Sequence, residues 1–364
     1  MYPLLVVAKA LEKECSDVDI LYVGHAKGLE ASIVARTDLP FHGVDAGPIR
    51  GTTPLSLAKS LRQLWRGFWQ ARALLSEWGA DVVATTGSYV SAPVALAAWR
   101  ARVPVLVYLP DLAPGLAVRL QARFADQVAV SFEEVRPHFP QHKVWVSGYP
   151  VRSEIWQASR ASAIEILGLS PERKTLLGFG GSRGARSVNR ALVAMLPDLL
   201  GDYQVIHITG QLDWPEVSER QAALGPEAQR WYHLHPYLHG EQLAAALAAS
   251  DLVVARAGAS TMAEFPAVGL PSVLVPYPYS GPNQELNADY MVSRGAAVSI
   301  DDAALSTQLK PTVLRLLSDE RTLREMSARA RALARPHAAQ ELARALVRLA
   351  GSVGEVAYDT ANSV

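Results

Sequence analysis

Short β-branched runs alternate with longer alanine- and leucine-rich segments along this chain, and the alternation stops and restarts once. Residues 19–23, 81–85, 103–108, 127–130 and 144–147 read as strands, with helical stretches between most of them. Strands that alternate with helices form parallel sheets, because parallel neighbours need a crossover that a helix supplies. After Gly148-Tyr149-Pro150-Val151-Arg152 and a helical segment near 158–167, the pattern resumes at 175–179, 204–209, 230–234, 252–255 and 272–275. The reset, with proline beside glycine, predicts a boundary near Pro150. The expected fold class is α/β: two doubly wound, Rossmann-like domains, 1–150 and 151–350, with 351–364 as a flexible tail. Ligands of such sheets sit beyond the carboxyl ends of the strands, so two facing sheets predict an interdomain cleft.

Composition narrows the function classes. At 364 residues, 49% of them hydrophobic, the chain can bury two cores. Thirty-five basic residues balance 35 acidic ones, so nothing global draws it to nucleic acid, and no nucleic-acid partner is expected. The single cysteine, Cys15, allows no internal disulfide and fits a reducing compartment. The start lacks the basic region of a signal peptide, and the apolar stretch 82–109 is interrupted by Pro93, Arg100, Arg102 and Pro104, which spoils it as a membrane span. A cytoplasmic protein is expected.

Two strand-to-helix junctions in the second half carry the chemistry. Residues 175–179 run into Gly180-Gly-Ser-Arg-Gly184-Ala185 and then a helix, so backbone N–H groups can face an anion, with the Ser182 hydroxyl beside them. A tight turn that needs glycine for its dihedrals is the alternative. The spacing is not the G-x-G-x-x-G of a dinucleotide site. Residues 252–255 run into Arg256-Ala-Gly258-Ala-Ser-Thr261-Met-Ala-Glu264, where Glu264 could accept both hydroxyls of a ribose, or close a capping box with Thr261. Two such turns in one domain suit a nucleotide diphosphate. The loop 276–287 ends with Asn283, Gln284 and Asn287, amides that read sugar hydroxyls or simply start a helix.

In the first half, Gly87-Ser-Tyr89-Val-Ser91 and Tyr108-Leu-Pro-Asp111 follow strands and would form the other wall of the cleft. Asp111 could serve as a base or as a turn former. His233, His235 and His239 are the nearest thing to a metal cluster, yet no acidic or cysteine partner accompanies them, and no metal is expected. Between Ala46 and Ser76 no acid occurs, while Arg50, Lys59, Arg62, Arg66 and Arg72 share a helical stretch with Leu61, Trp65, Phe68 and Trp69. Such a helix lies on an anionic membrane surface or packs as an ordinary amphipathic helix.

Taken together, Gly148-Tyr-Pro-Val-Arg152, Gly180-Gly-Ser-Arg-Gly-Ala-Arg186, His207-Ile-Thr-Gly210, Arg256 through Glu264, Gly269-Leu-Pro271 and Gln284 with Asn287 resemble the bacterial MurG family from Tyr2 to about Ala334. The resemblance implies a GT-B fold: an acceptor and membrane-side domain, then a UDP-sugar donor domain. It implies an inverting transfer of N-acetylglucosamine from UDP-N-acetylglucosamine to undecaprenyl-diphospho-muramoyl-pentapeptide, lipid I to lipid II of peptidoglycan synthesis. That transfer takes place on the cytoplasmic side of the cell membrane, with peripheral attachment and no cofactor or metal. Carried over by position, Arg152 and Ser182 contact the donor diphosphate, and Ala259, Ser260, Thr261, Met262, Ala263 and Glu264 form the nucleotide segment, with Glu264 on the ribose. Gln284 reads the sugar hydroxyls, and Leu238 gives a backbone contact to uracil.

The sequence departs from the family at the acceptor side. Met1-Tyr2-Pro3 matches the residues just after the family's first strand and glycine-rich loop, which places that loop and the family's base histidine upstream of Met1. Tyr108-Leu-Pro-Asp111 stands where the family has His-Glu-Gln-Asn, and Ser88 where it has glycine. Asp111 is then the candidate catalytic base within the chain. A UDP-sugar transferase with a different acceptor, and a catalytically impaired nucleotide-sugar-binding protein, are the alternatives.

Overall fold

The structure is a computed structural model in which residues 2–25, 28–47, 54–181, 185–279 and 282–361 are described. It divides into two compact units, Met1–Pro150 with His337–Val364, and Val151–Pro336. In the first unit β1 (Tyr22–His25) pairs in parallel with β2 (Phe41–Val44). A second parallel sheet has the order β3 (Val83–Thr85), β4 (Val105–Leu109), β5 (Gln127–Val130), β6 (Val144–Val146). Every residue of β4 is buried, as a continuous apolar run should be when helices cover both faces. Helix Pro54–Trp78 packs Phe68, Ala71 and Leu75 against Val44, Val94 and Ala97.

The last helix, Ala338–Ala361, belongs to the first unit. Its Leu342, Leu346 and Leu349 close over Leu106, Tyr108 and Ala129 together with Val7 of helix Tyr2–Glu14. Arg344 Nη2 meets Glu14 Oε1 at 3.1 Å. Two sequence expectations therefore need correction: 337–350 does not pack with the second domain, and the helix runs on through most of the stretch expected to be a loose tail. An apolar stripe shows that a helix buries one face, not which sheet receives it. A glycine such as Gly351 costs a helix only about 1 kcal/mol, too little to end one anchored by three buried leucines.

The second unit is one parallel sheet of β7 (Thr175–Phe179), β8 (Gln204–Ile208), β9 (Tyr232–His235), β10 (Leu252–Ala255), β11 (Ser272–Leu274) and β12 (Ala297–Ser299), in the order β12-β11-β10-β7-β8-β9. Its core joins Leu176 and Val254 of the sheet to Leu192 and Leu196 of helix Arg186–Leu199 and to Val313 and Leu316 of helix Leu305–Ser318. Gly178 lets the first of these helices approach: a Cβ there would lie 2.6 Å from Leu192 Cδ1. The strand order reverses between β7 and β10, whose register runs from Leu252↔Leu176 to Ala255↔Phe179. Both small-residue turns thus leave the sheet side by side, where doubly wound sheets hold their ligands.

Candidate functional site

Beyond β7 the chain turns through Gly180 and Gly181, the latter at φ +85°, and enters helix Arg186–Leu199 after Ala185. A positive φ is costly for any residue with a Cβ, so Gly181 suits this turn for a conformational reason. Ser182, with Arg183 and Gly184, lies outside the described residues. Beyond β10 the chain passes Ala257 to Ser260 and enters helix Thr261–Val268. The Asn287 amide nitrogen donates to the Ala257 carbonyl at 2.9 Å, and the Thr261 hydroxyl donates to the Gly258 carbonyl at 2.6 Å. These bonds fix the second turn from both sides.

The Thr261-x-x-Glu264 spacing does not make a capping box. Thr261 is the first helical residue, its hydroxyl is spent on Gly258, and the helix carries no side-chain cap at Ser260. The Glu264 carboxylate instead takes a hydrogen bond from Arg152 Nη2 at 3.0 Å, with Glu264 only 8% exposed. Burial pushes its carboxyl above the ordinary range, and the Arg152 guanidinium opposes that rise. Arg152 and Glu264, 112 positions apart, are thus brought together at one helix start.

The other positions carried over by resemblance are less uniform. Ala259, Ser260 and Ala263 are half-buried around that helix start, whereas Met262 is buried in the core and can offer only its backbone. Gln284, in the first turn of helix Asn283–Ser293, accepts from the Tyr277 N–H at 2.9 Å, which leaves its amide nitrogen as the donor end. Leu238 is buried just ahead of helix Gly240–Ala249, so it too can reach a ligand only through its backbone. Asp111 follows β4 in the first unit, half-buried, and burial pushes its carboxyl above the ordinary value. Tyr108 is fully buried, its hydroxyl 2.7 Å from Ser131 Oγ, so that side chain braces β4 against β5. Among the described residues no three His, Cys, Asp or Glu side chains converge as a metal site; burial lowers the pKa of both His233 and His235.

Two networks escaped the sequence reading. The Asn189 amide nitrogen donates to the Thr209 carbonyl and to Asp213 Oδ2, both at 2.9 Å, so its oxygen must accept from His207 Nε2 at 3.0 Å. The other ring nitrogen, Nδ1, then accepts from the Tyr232 hydroxyl at 2.7 Å. His207 is fully buried, which pushes its pKa down to about 3 and keeps the ring neutral. Arg186 Nε meets Asp213 Oδ1 at 2.9 Å, so the start of the helix behind the glycine turn is braced against the start of helix Trp214–Ala222. Arg256 is the second case: it donates to Ser187 Oγ at 2.8 Å, to the Val275 and Pro276 carbonyls, and pairs with Asp302. The motif His207-Ile-Thr-Gly210 was a visible signal for the first network; nothing local signalled the second.

On helix Pro54–Trp78, packing of Phe68, Ala71 and Leu75 leaves Leu61, Trp65 and Trp69 exposed, Trp65 by 63%. Arg62, Arg66 and Arg72 are exposed beside them, Arg66 lying 3.4 Å from Asp45; Arg50 lies outside the described residues. Among the described residues no helix is long and apolar enough to cross a membrane.

Comparison with known proteins places the chain in a family. Residues 1–130 match the glycosyltransferase family 28 N-terminal domain and residues 175–342 the glycosyltransferase family 28 C-terminal domain. A UDP-N-acetylglucosamine–N-acetylmuramyl-(pentapeptide) pyrophosphoryl-undecaprenol N-acetylglucosamine transferase from Roseiflexus is 42% identical, over 94% of this chain and 91% of its own length. The protein of that name from Bacillus subtilis is 36% identical over 94% of each chain. The crystal structure of Acinetobacter baumannii MurG superposes with a TM-score of 0.74 at 24% identity, covering 95% of both chains. A putative UDP-N-acetylglucosamine 2-epimerase from Listeria monocytogenes shares the fold at a TM-score of 0.67 and 14% identity, covering 93% of this chain and 90% of its own. The fold is α/β GT-B, and the chain belongs to the MurG family of glycosyltransferases.

Proposed function

We propose that this protein is an inverting glycosyltransferase that moves N-acetylglucosamine from UDP-N-acetylglucosamine to the muramoyl-pentapeptide carried on undecaprenyl diphosphate, in peptidoglycan synthesis. The observation that carries the reading is the Arg152–Glu264 pair at the start of helix Thr261–Val268, beside the glycine turn of the neighbouring strand. A nucleoside diphosphate presents what these two groups need. Its ribose offers a vicinal diol to the carboxylate, and its diphosphate offers a stronger anion to the guanidinium. Donor binding on this reading exchanges one ion pair for two ligand contacts.

The acceptor hydroxyl attacks the anomeric carbon, the bond to the diphosphate oxygen breaks, and negative charge grows on departing UDP. Amides of Gly180, Gly181 and the helix start face that charge together with Arg152, and Ser182 is the hydroxyl that the resemblance adds, so leaving-group stabilisation needs no metal or cofactor. Met262 and Leu238 serve through their backbones, Ala259, Ser260, Thr261 and Ala263 shape the nucleotide segment, and Gln284 donates to the sugar hydroxyls. Asp111, its carboxyl made more basic by burial, is the base we assign for the acceptor proton. The first unit meets the acceptor, and the exposed face of helix Pro54–Trp78 rests on anionic lipid at the cytoplasmic side of the membrane. Incubating the protein with UDP-N-acetylglucosamine and the lipid-linked muramoyl-pentapeptide tests the reading. UDP release with a disaccharide product supports it; tight UDP binding without product assigns a binding protein, and UDP release only with another acceptor assigns another transferase.

A further inference from the structure

In the first unit the chain leaves β3 through Thr85-Thr-Gly87-Ser-Tyr-Val-Ser91 and enters helix Ala92–Ala101. The neighbouring strand β4 runs into Asp111, and helix Leu116–Phe124 follows. β3 and β4 are parallel, with Thr85 opposite Val107, so both segments leave the sheet at the same end, side by side.

One side chain ties the first segment to the helix that follows the second. Gln121, only 1% exposed, lies on the buried face of helix Leu116–Phe124 with Val118 and Ala122. Its amide nitrogen donates to the Ser88 carbonyl at 2.8 Å, and its oxygen accepts from the Thr85 hydroxyl at 2.9 Å. The Thr85 oxygen accepts in turn from the Gly87 N–H at 3.3 Å. The Ser91 hydroxyl lies 3.2 Å from the same Gln121 oxygen and 2.9 Å from the Ser88 carbonyl. Gly87, at φ +69°, rests directly on this helix: a Cβ there would lie 2.3 Å from Val118 Cγ2.

Packing alone has no use for an amide at this position. The rest of the buried face is apolar, and an amide is costly to bury unless its bonds are made. A satisfied buried network, by contrast, fixes one geometry. The bonds of Gln121 run to Thr85, Ser88 and Ser91, all in one short segment, and that segment adjoins the one that carries Asp111.

We propose, on the acceptor role given above to the first unit, that Gln121 is a positioning residue for the lipid-linked acceptor. It holds residues 85–91 in the conformation that receives the acceptor beside Asp111. Without it the segment samples other conformations, and apparent acceptor affinity falls with the fraction that stays competent. Saturating acceptor draws that fraction back, so KM for the acceptor rises while kcat holds.

Initial rates with UDP-N-acetylglucosamine and the lipid-linked muramoyl-pentapeptide test this in Gln121→Met and in Thr85→Val. The second variant keeps the branched shape of a strand residue and removes only the hydroxyl, so it decides the matter should the first not fold. Acceptor KM should rise at least about tenfold in Gln121→Met and about threefold in Thr85→Val, with kcat within about twofold of the unaltered protein. Calorimetric affinity for UDP should not change, because the donor residues lie in the second unit. Amides of Gly87 and Ser91 should exchange with deuterium about tenfold faster in Gln121→Met, and those of β4 at the unaltered rate. Unchanged acceptor KM in either folded variant overturns the proposal, whether or not stability falls, and assigns Gln121 a packing role alone. A fall in kcat at unchanged KM overturns it too. Failure of the unaltered protein to use this acceptor at all would instead overturn the proposed function, and the positioning role with it.

Discussion

Glu264 is a carboxylate that burial makes harder to ionise, held beside one guanidinium at 3.0 Å. On the proposed function Glu264 takes Arg152 and a ribose as partners in turn, which predicts different outcomes for two ligands. Charged hydrogen bonds contribute about 1.5–3 kcal/mol, so Arg152→Ala should weaken UDP binding on the order of tenfold to a hundredfold. Uridine, which has no phosphate to engage Arg152, should bind the same variant no more weakly than the unaltered protein. Glu264→Gln should weaken both ligands, as read by titration calorimetry. Behind the glycine turn, His207 makes a different prediction. Its folded pKa of about 3 lies below the unfolded value of 6.5, so the unfolded chain takes up a proton first as pH falls. Stability from this group is full above pH 6.5 and declines between there and about pH 3, by at most about 1.4 kcal/mol per pH unit. In denaturant unfolding across that window, His207→Gln should be less stable at neutral pH and show a flatter pH dependence.

Among the elements, the last helix has the plainest consequence. Leu342, Leu346 and Leu349 are buried against β4 and β5 of the first unit, and each full burial contributes about 1.5–3 kcal/mol. Removing 338–364 should destabilise the first unit on the order of 5 kcal/mol while leaving the second folded, as seen in hydrogen exchange of β4 against β10. The sheets themselves were largely legible. Residues 127–130, 175–179 and 252–255 were expected as strands and are strands with those bounds, because short β-branched, mostly apolar runs bounded by polar or small residues have few other uses. β2 and β12 escaped notice because Phe41-His-Gly-Val44 and Ala297-Val-Ser299 each hold a single β-branched residue beside glycine or polar ones, so neither reads as an apolar run. At the site, strand, small-residue turn and helix start placed Glu264, whereas Arg152 became visible only through the resemblance. The His207–Asn189–Asp213 network shows in the sequence only as the His207-Ile-Thr-Gly210 motif, because its partners meet through tertiary contact between elements.

For the molecule as a whole, balanced charge leaves lipid attraction to a local surface, and helix Pro54–Trp78 offers one, with arginines beside exposed tryptophans. Replacing Arg62, Arg66 and Arg72 with glutamate should reduce binding to phosphatidylglycerol vesicles on the order of a hundredfold at low salt, since each basic residue near an anionic surface contributes about 1 kcal/mol. The same variant should bind UDP normally, because the donor residues lie in the other unit; unchanged vesicle binding would remove the membrane reading alone. If the second unit holds a uridine diphospho-sugar, calorimetric titration of the intact protein with UDP, ADP and dTDP distinguishes the nucleotides. UDP should then give saturable heat that is lost in Glu264→Ala, with weaker or no heat for the other two. No heat for UDP, or equal binding of ADP, would contradict it.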